Sequence, residues 1–270
     1  MGSEKTAVLD HGYVKVIRHW GNDEEVIEAA RMSTGKGFLG WGPLECQSCG
    51  AGTSVPRGGP GDGFPPCPTC KGTGEVKGDE KLLAYLWTHA HHTPFEMAGL
   101  TLEVQAPIFV FREWHRHRTQ SYNELSARYT PVPDVHYMPS VQRCNPPATS
   151  NRQAHGAHSP AVAPEHLADL RNDWLNRVAS FYDDAERLYQ QGLMRGVPKE
   201  VARIVMPVGR YSRMRASANL RNWLGFLKLR TANDAQWEIR QYAEVVSGII
   251  AERFPRTHAL TDLPVCMVPS

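Results

Sequence analysis

Between residues 167 and 188 the apolar side chains Leu167, Leu170, Trp174, Val178, Phe181, Ala185 and Leu188 recur every three or four positions. At 3.6 residues per turn they share one side of a long helix, and no other stretch of the chain specifies its local structure so strongly. We assign this helix a structural role. Around it, Tyr13 to Arg18 and Thr101 to Ala106 alternate apolar and polar residues and read as strands. The apolar run Ile108 to Phe111 continues the second of these. Short helices are expected over Glu24 to Met32, with Asn22 and Asp23 as caps, and after Asp79, where Leu82, Leu83, Leu86 and Trp87 form a buried side. Pro198 suits the first turn of a helix over Lys199 to Val205. Two more helices fit Leu220 to Arg230 and Asp234 to Phe254, the latter with Ile239, Tyr242, Val246 and Ile249 along one side. Tyr211 to Asn219 is ambiguous from its own residues. Strands and helices are mixed without regular alternation, which predicts an α+β fold: a mixed or antiparallel sheet packed with long helices.

The chemistry concentrates elsewhere. Arg112 to Arg128 carries four arginines (Arg112, Arg116, Arg118, Arg128), His115 and His117, two carboxylates, and the polar groups of Ser121, Asn123 and Ser126. Guanidinium forks donate paired, coplanar hydrogen bonds and suit phosphate or carboxylate, so this stretch reads as the wall of an anion site. A solvated basic loop is the plainer alternative, but such loops seldom interleave Arg so closely with Trp, Tyr, Asn and Ser. The net charge of the 270 residues is only +2. Nothing in the overall balance calls for a nucleic-acid or membrane partner. No apolar run is long enough to span a bilayer and residues 1 to 20 lack a signal-peptide core, so the expected compartment is the cytoplasm.

Four of the six cysteines form two pairs, Cys46-x-x-Cys49 and Cys67-x-x-Cys70, separated by seventeen residues. In a cytosolic chain this spacing predicts tetrahedral Zn²⁺, and four thiolates leave no open position, so the metal is expected to be structural. The pairs lie in a Gly- and Pro-rich stretch, residues 35–78, which reads as an inserted four-Cys zinc-binding module; residues 1–34 and 79–270 form the main domain. Cys67-Pro-Thr-Cys70-Lys-Gly-Thr-Gly resembles the zinc repeats of J-domain co-chaperones. The glycines at 58 to 63 follow no strand and make no dinucleotide fingerprint. His89, His91 and His92 have no carboxylate or Cys at a regular ligand spacing and read as capping or hydrogen-bonding residues. Residues 131 to 164 form a long irregular segment of the kind that serves as a lid or stays disordered.

Arg116-His117-Arg118, followed after seven residues by Ser126, together with Ser121, Asn123, Glu124 and Arg128, resembles the signature of the flavin-dependent thymidylate synthases. His91-His-Thr93-Pro-Phe-Glu96, twenty residues upstream of the triplet, resembles the flavin segment of that family. Ser33 after the first helix, Arg213, the helix from Asn219 to Arg230 and Glu238-Ile239-Arg240 extend the likeness over nearly the whole chain, residues 35–78 and 145–163 excepted. The resemblance favours a strand over Tyr211 to Asn219. It implies FAD bound by Ser33, His91, Thr93, Glu96, Arg116, His117, Arg118, Glu124, Leu229 and Arg230. It further implies dUMP bound by Glu113, Arg116, Glu124, Ser126, Ala127, Arg128, Arg213 and Arg240. The implied reaction is reductive methylation of dUMP to dTMP, with methylenetetrahydrofolate as carbon donor and NADPH or NADH as reductant. No Cys nucleophile is needed, Arg240 polarises the uracil ring, and the assembly is a homotetramer. Two positions depart from the family pattern: Glu113 stands where Gln is frequent and Ala127 where Gly is frequent. A carboxylate cannot donate as an amide does. The alternative is a zinc-ribbon nucleic-acid-binding or chaperone-like protein. Residues 46 to 71 contain one Arg and one Lys, so that alternative accounts for the insertion and leaves the other motifs unexplained.

Overall fold

The computed structural model describes residues 4–50, 58, 63–144 and 165–264, with the backbone alone for 165–167. In chain order its elements are β1 (Thr6–Val8), β2 (Gly12–Trp20), α1 (Asp23–Arg31), β3 (Leu44–Glu45), β4 (Glu75–Val76), α2 (Glu80–Thr88), β5 (Gly99–Pro107), α3 (Ile108–Trp114), β6 (Ser121–Glu124), α4 (Glu165–Met194), α5 (Lys199–Ala202), β7 (Tyr211–Asn219), α6 (Leu220–Arg230), α7 (Trp237–Arg253) and α8 (Pro255–Ala259). The fold is α+β, as expected, and every pairing of its main sheet is antiparallel. The chain divides into two compact units.

The first unit comprises Met1–Trp20, Gly99–Arg253 and Asp262–Ser270 and is built on the sheet, with strand order β1-β2-β5-β7-β6. Period-two alternation decides its two faces. Along β5, Leu100, Leu102, Val104 and Ala106 are fully buried, while Thr101, Glu103 and Gln105 point the other way and stay partly open. On β7 it is Met214, Ala216 and Ala218 that are buried, and Arg213 and Arg215 that are exposed. Register pairs Glu103 with Arg215 and Gln105 with Arg213, so the open face carries paired polar residues. The apolar face meets Phe111, Trp114, Trp223, Phe226, Ile239, Tyr242 and Val246 from α3, α6 and α7, all essentially buried. Burial of a side chain of this size is worth about 1.5–3 kcal/mol. The polar ends of these rings are satisfied: Trp223 Nε1 donates to the Leu100 carbonyl at 3.1 Å and the Tyr242 hydroxyl to that of Gln105 at 2.8 Å. A Cβ on Gly12 would stand 2.0 Å from that hydroxyl, which explains why β2 begins with glycine.

Several expectations need correction in this unit. Ile108 to Phe111 is the start of a helix rather than a continued strand. Val110, Phe111 and Trp114 are buried at helical spacing, Pro107 occupies the N-cap, and the amides of Ile108 and Phe109 are taken by the carbonyls of Arg210 and Val208. The first strand is longer than Tyr13 to Arg18 and is preceded by β1, while Ser121–Glu124 forms an edge strand. The helix after Pro198 closes at Ala202 and tightens to a 3₁₀ turn over Arg203–Val205. The last long helix spans Trp237–Arg253, because Pro255 cannot donate to continue it. On α4 the helix is as predicted, but Leu170, Trp174, Phe181 and Leu188 are each more than half exposed, and Ala185 and Tyr189 take the buried line. Of residues 131 to 164, those before 145 run irregularly along Arg210, whose buried guanidinium holds the carbonyls of Val132 and Pro133 and the carboxylate of Glu186; residues 145–164 lie outside the described residues.

The second unit comprises Gly21–Ala98 and Phe254–Thr261. Asn22 caps α1 as predicted, its side chain accepting from the Glu25 amide at 2.9 Å. Val26, Ile27, Leu83, Leu86, Phe95 and Phe254 make the apolar centre. Two buried carboxylates organise the rest. Asp23 accepts from the amides of Arg256 and Thr257 and from the Thr257 hydroxyl, at the first turn of α8. Asp79, at 0% exposure, takes the guanidinium of Arg31 and, at 2.8 Å, the amide of Leu39. No helix of the described residues is long and apolar enough to cross a membrane.

Candidate active site

In the sheet unit, three predicted residues meet around one guanidinium. Arg230, in the last turn of α6, donates through Nε to His117 Nε2 at 2.9 Å, through Nη1 to Glu113 Oε2 at 3.1 Å, and through Nη2 to the Glu113 carbonyl at 2.8 Å. The cluster rests on aromatic packing. Trp114 stacks on Phe226 with centroids 4.7 Å apart, and the His117 ring meets the same Phe226 edge-on at 4.8 Å. Tyr122 on β6 fixes the connecting turn by donating its hydroxyl to the carbonyls of His117 at 2.8 Å and Trp114 at 3.1 Å. From α6, Asn222 holds the Thr119 carbonyl.

Since Nε2 of His117 accepts from Arg230, the imidazole carries its proton on Nδ1. Burial, and then the neighbouring Arg230 charge, hold its pKa down to about 4 against the opposing pull of Glu113. The ring is therefore neutral near pH 7. Burial pushes the Tyr122 hydroxyl up to about 12, so it stays a donor. A neutral imidazole with one free N–H, set beside a guanidinium, can donate to a planar ring or a carbonyl without losing charge balance.

Beside this braced cluster the cations are open. Arg116, Arg118, Arg128 and Arg213 are all exposed. Glu124 lies at the end of β6 opposite Met214, and the Leu125 amide bonds the Arg213 carbonyl, so β6 runs alongside the Arg213 segment of β7. Ser126 turns the chain after β6, accepting the amides of Tyr129 and Thr130, and Ala127 is buried there. Arg128 meets Glu200 at 3.0 Å on the surface. Arg240, in the first turns of α7, is partly exposed and among the described residues reaches only the Asn233 carbonyl, at 3.5 Å. Leu229 is 62% exposed. The departure at Glu113 acquires a reason: a carboxylate, unlike an amide, forms an ion pair with Arg230.

The remaining predicted flavin residues lie in the second unit. Ser33 sits in the 3₁₀ turn after α1, exposed, its hydroxyl donating to the Ala30 carbonyl. His91, Thr93 and Glu96 follow α2, the last two in a 3₁₀ turn over Thr93–Glu96. His91 and Thr93, with Ala29, Leu86, Ala90 and Met97, line a cleft of about 480 Å³. At its wall His92 Nδ1 is buried with no hydrogen-bond partner among the described residues, a site that wants a polar ligand atom. His89, read as a capping residue, stacks on Tyr85 at 4.0 Å and bonds its carbonyl.

Cys46, Cys49, Cys67 and Cys70 gather as the sequence predicted, all buried free thiols, their sulfurs all within 4.8 Å of one another. Sequence reasoning missed Phe226, Asn222 and the bracing role of Tyr122. Tyr122 lay inside the arginine motif but offered no sign of its carbonyl partners.

Comparison with known proteins agrees with this geometry. A family model described as thymidylate synthase complementing protein matches residues 15–256. A flavin-dependent thymidylate synthase of Anaplasma marginale (strain St. Maries) is 35% identical over 258 residues, 95% of this chain and 74% of its own length. One from Thermotoga neapolitana is 32% identical over 257 residues, 94% of this chain and 92% of its own. Among solved structures, the UMP/dUMP methylase PolB of Streptomyces cacaoi bound with 5-bromo-UMP matches with a TM-score of 0.69 and 27% identity, covering 94% of this chain and 96% of that one.

Proposed function

Because the chain belongs to the thymidylate synthase complementing protein family, that of the flavin-dependent thymidylate synthases, we propose that it is an FAD-dependent enzyme that methylates dUMP to dTMP. Methylenetetrahydrofolate supplies the carbon and NADPH or NADH the reducing equivalents. The observation that carries this reading is the Arg230 cluster, which holds His117 neutral and fixed beside a row of open arginines.

The residues present suit FAD. The cleft at His91 and Thr93 has a polar atom without a partner in His92, and the Arg116 to Arg118 segment offers cations for a pyrophosphate. Ser33, His91, Thr93, Glu96, Arg116, His117, Arg118, Glu124, Leu229 and Arg230 form the binding set in this reading. Once reduced by the nicotinamide, the bound flavin would supply the hydride that completes the methyl group. Exposed Arg116, Arg128 and Arg213 offer forked donors to the dUMP phosphate, Arg128 by exchanging its surface pair with Glu200. Glu124, Ser126, the main chain of Ala127, and Arg240 complete the nucleotide set. Arg240 polarises the uracil by stabilising its anionic form, an effect strongest where water is excluded. Glu113 acts on the nucleotide through Arg230 rather than by donating to it. No thiol is needed as nucleophile: burial pushes the Cys144 thiol up, away from the reactive thiolate, and Cys266 lies outside the described residues.

In this reading residues 1–34 and 79–270 form the synthase domain and 35–78 an insertion with a structural Zn²⁺. The exposed apolar line of α4 supports assembly into a homotetramer, and free cysteines suit a cytoplasmic enzyme. The test is release of tritium from C5-labelled dUMP. It is expected to require methylenetetrahydrofolate, a nicotinamide reductant and bound flavin; release without any of them, or none at all, contradicts the assignment. UMP belongs in the same assay, since the Streptomyces cacaoi protein is described as a methylase of both nucleotides.

A further inference from the structure

Among the described residues the cysteine module meets the rest of its unit at the N-terminal end of α2 and, through Trp41, at Arg256 of α8, and its interior is almost entirely sulfur. Among the described residues, only Val76 packs against the four buried cysteines as a partly buried hydrophobic side chain. The hairpin β3–β4 contributes two residue pairs, Leu44 with Val76 and Glu45 with Glu75. A two-stranded hairpin this short is not stable alone in water, and a segment below roughly 40 residues needs a staple beyond its apolar core. Residues 44–76 have no disulfide among them, all four thiols being free.

The sulfur geometry points to what the staple is. Tetrahedral Zn²⁺ with bonds of about 2.3 Å places its sulfurs about 3.8 Å apart. Cys46 and Cys67 stand 3.9 Å apart, Cys49 and Cys70 3.4 Å, and all the sulfurs lie within 4.8 Å of one another. Each pair sits in a tight turn: the Cys49 amide bonds the Cys46 carbonyl, and the Lys71 amide bonds that of Cys67. The Gly74 amide points at Cys70 Sγ from 3.3 Å, a donor placed where a metal thiolate wants one. Lys71, Gly72 and Gly74 hold the left-handed backbone that this turn requires.

The legs of the module close on each other and on α2. A Cβ at Gly78 would stand 2.2 Å from the Gly42 carbonyl oxygen, so the outgoing and returning chains touch backbone to backbone. Asp79 takes the Leu39 amide with its carboxylate and gives its own amide to the Gly40 carbonyl. Glu80 takes the Gly42 amide at 2.6 Å and Arg256 at 3.0 Å, while the Arg256 guanidinium lies 4.4 Å over the ring of Trp41. The start of α2 is thus held by residues 39–42, at the ends of the loop that the cysteines close, together with Arg31 on Asp79 and Arg256 on Glu80.

We propose that the four cysteines hold one Zn²⁺ in a closed tetrathiolate site, and that this metal, by folding residues 44–76, fixes the N-terminal end of α2 through Asp79 and Glu80. The site has no part in the methylation chemistry, so the proposal stands or falls independently of it. Zn²⁺ rather than a harder cation follows from four soft ligands; tetrahedral sulfur also admits iron, and the experiment separates the two.

The experiment is elemental analysis of the purified full-length protein, followed by cobalt exchange and amide hydrogen exchange before and after metal removal by a strong chelator. One zinc per chain is expected. Cobalt should bring the d–d bands of a tetrahedral thiolate site, at wavelengths longer than flavin absorbs. Cys67→Ser/Cys70→Ser should lose the metal, whereas Cys70→His, which preserves a nitrogen or sulfur donor, should keep it. Metal removal from the wild-type chain should speed exchange at least tenfold at residues 44–50 and at the amide of Leu83, which bonds the Asp79 carbonyl, and leave β5 unchanged. The wild-type comparison decides the matter even where the double serine variant fails to fold. Stoichiometric iron, or four rapidly titrating thiols and no metal after zinc is supplied, would overturn the site; unchanged exchange at Leu83 would overturn its role in setting α2.

Discussion

The arginine cluster around Arg230 and the cysteine module carry comparable densities of polar chemistry and are held in place by opposite means. Glu113, His117 and Arg230 sit on Trp114 and Phe226, two buried rings in a core of aliphatic and aromatic side chains. Among its described residues the cysteine module has a core of four sulfurs and one valine. Charged groups can be positioned by an apolar platform, which is lost only when the core is cut, or by covalent-like ligation, which is lost when a metal leaves. The first is indifferent to metal and redox state, and the second answers to both.

Cutting the platform gives the largest effect. Trp114→Ala should cost about 3–5 kcal/mol of stability, read as a lower midpoint in chemical denaturation, with the flavin lost in proportion. An unchanged midpoint means the aromatic platform is not what supports the cluster. A comparable loss, about 3–5 kcal/mol, is expected from Asp79→Ala, which strands the largely buried Arg31 guanidinium. Hydrogen exchange should place that loss at α2 and its flanks; if β5 loosens as well, the contrast between the two anchoring modes is blunted. Arg240→Ala removes chemistry without touching either anchor. It should retain flavin absorbance and folding while dTMP formation falls about 10²–10³-fold; wild-type turnover removes Arg240 from the reaction.

Acid sharpens the comparison from the other side. The folded-state pKa of His117 is held down to about 4, below the ordinary value of 6.5, so between those values the unfolded chain binds more protons than the folded one. The contribution is complete above about pH 6.5 and fades as pH falls toward 4. Urea midpoints should therefore drop across that window. In Arg230→Ala, which removes one cause of the depression, the His117 titration followed by NMR should move up toward its ordinary range. The smallest effect belongs to the exposed Arg128–Glu200 pair: Glu200→Ala should change stability by less than about 1 kcal/mol, and a larger loss would show that the pair orders the turn at Ser126.

Spacing made the long elements legible. The helix over Leu220–Arg230 and the strand over Tyr211–Asn219 lie where they were expected, the strand with help from family resemblance. The four cysteines could be read because metal ligation imposes its own spacing on the chain. Ile108 to Phe111 could not, since four apolar residues in a row satisfy either period, and Pro107 and the carbonyls of Val208 and Arg210 decide for helix. The partner of Glu113 is 117 positions away in sequence, so its departure from the family pattern was visible while its reason was not. On α4 periodicity revealed a stripe but not what covers it, because an apolar side looks the same whether it meets its own core or remains open in the single chain.

The central claim is that the braced arginine cluster serves flavin-dependent methylation of dUMP. Its most direct test is to reduce the bound flavin without oxygen, add dUMP and methylenetetrahydrofolate separately and together, and follow flavin oxidation and dTMP. The account predicts oxidation and one dTMP per flavin only when both are present. Reduced flavin that persists with both substrates, with no dTMP formed, would contradict it.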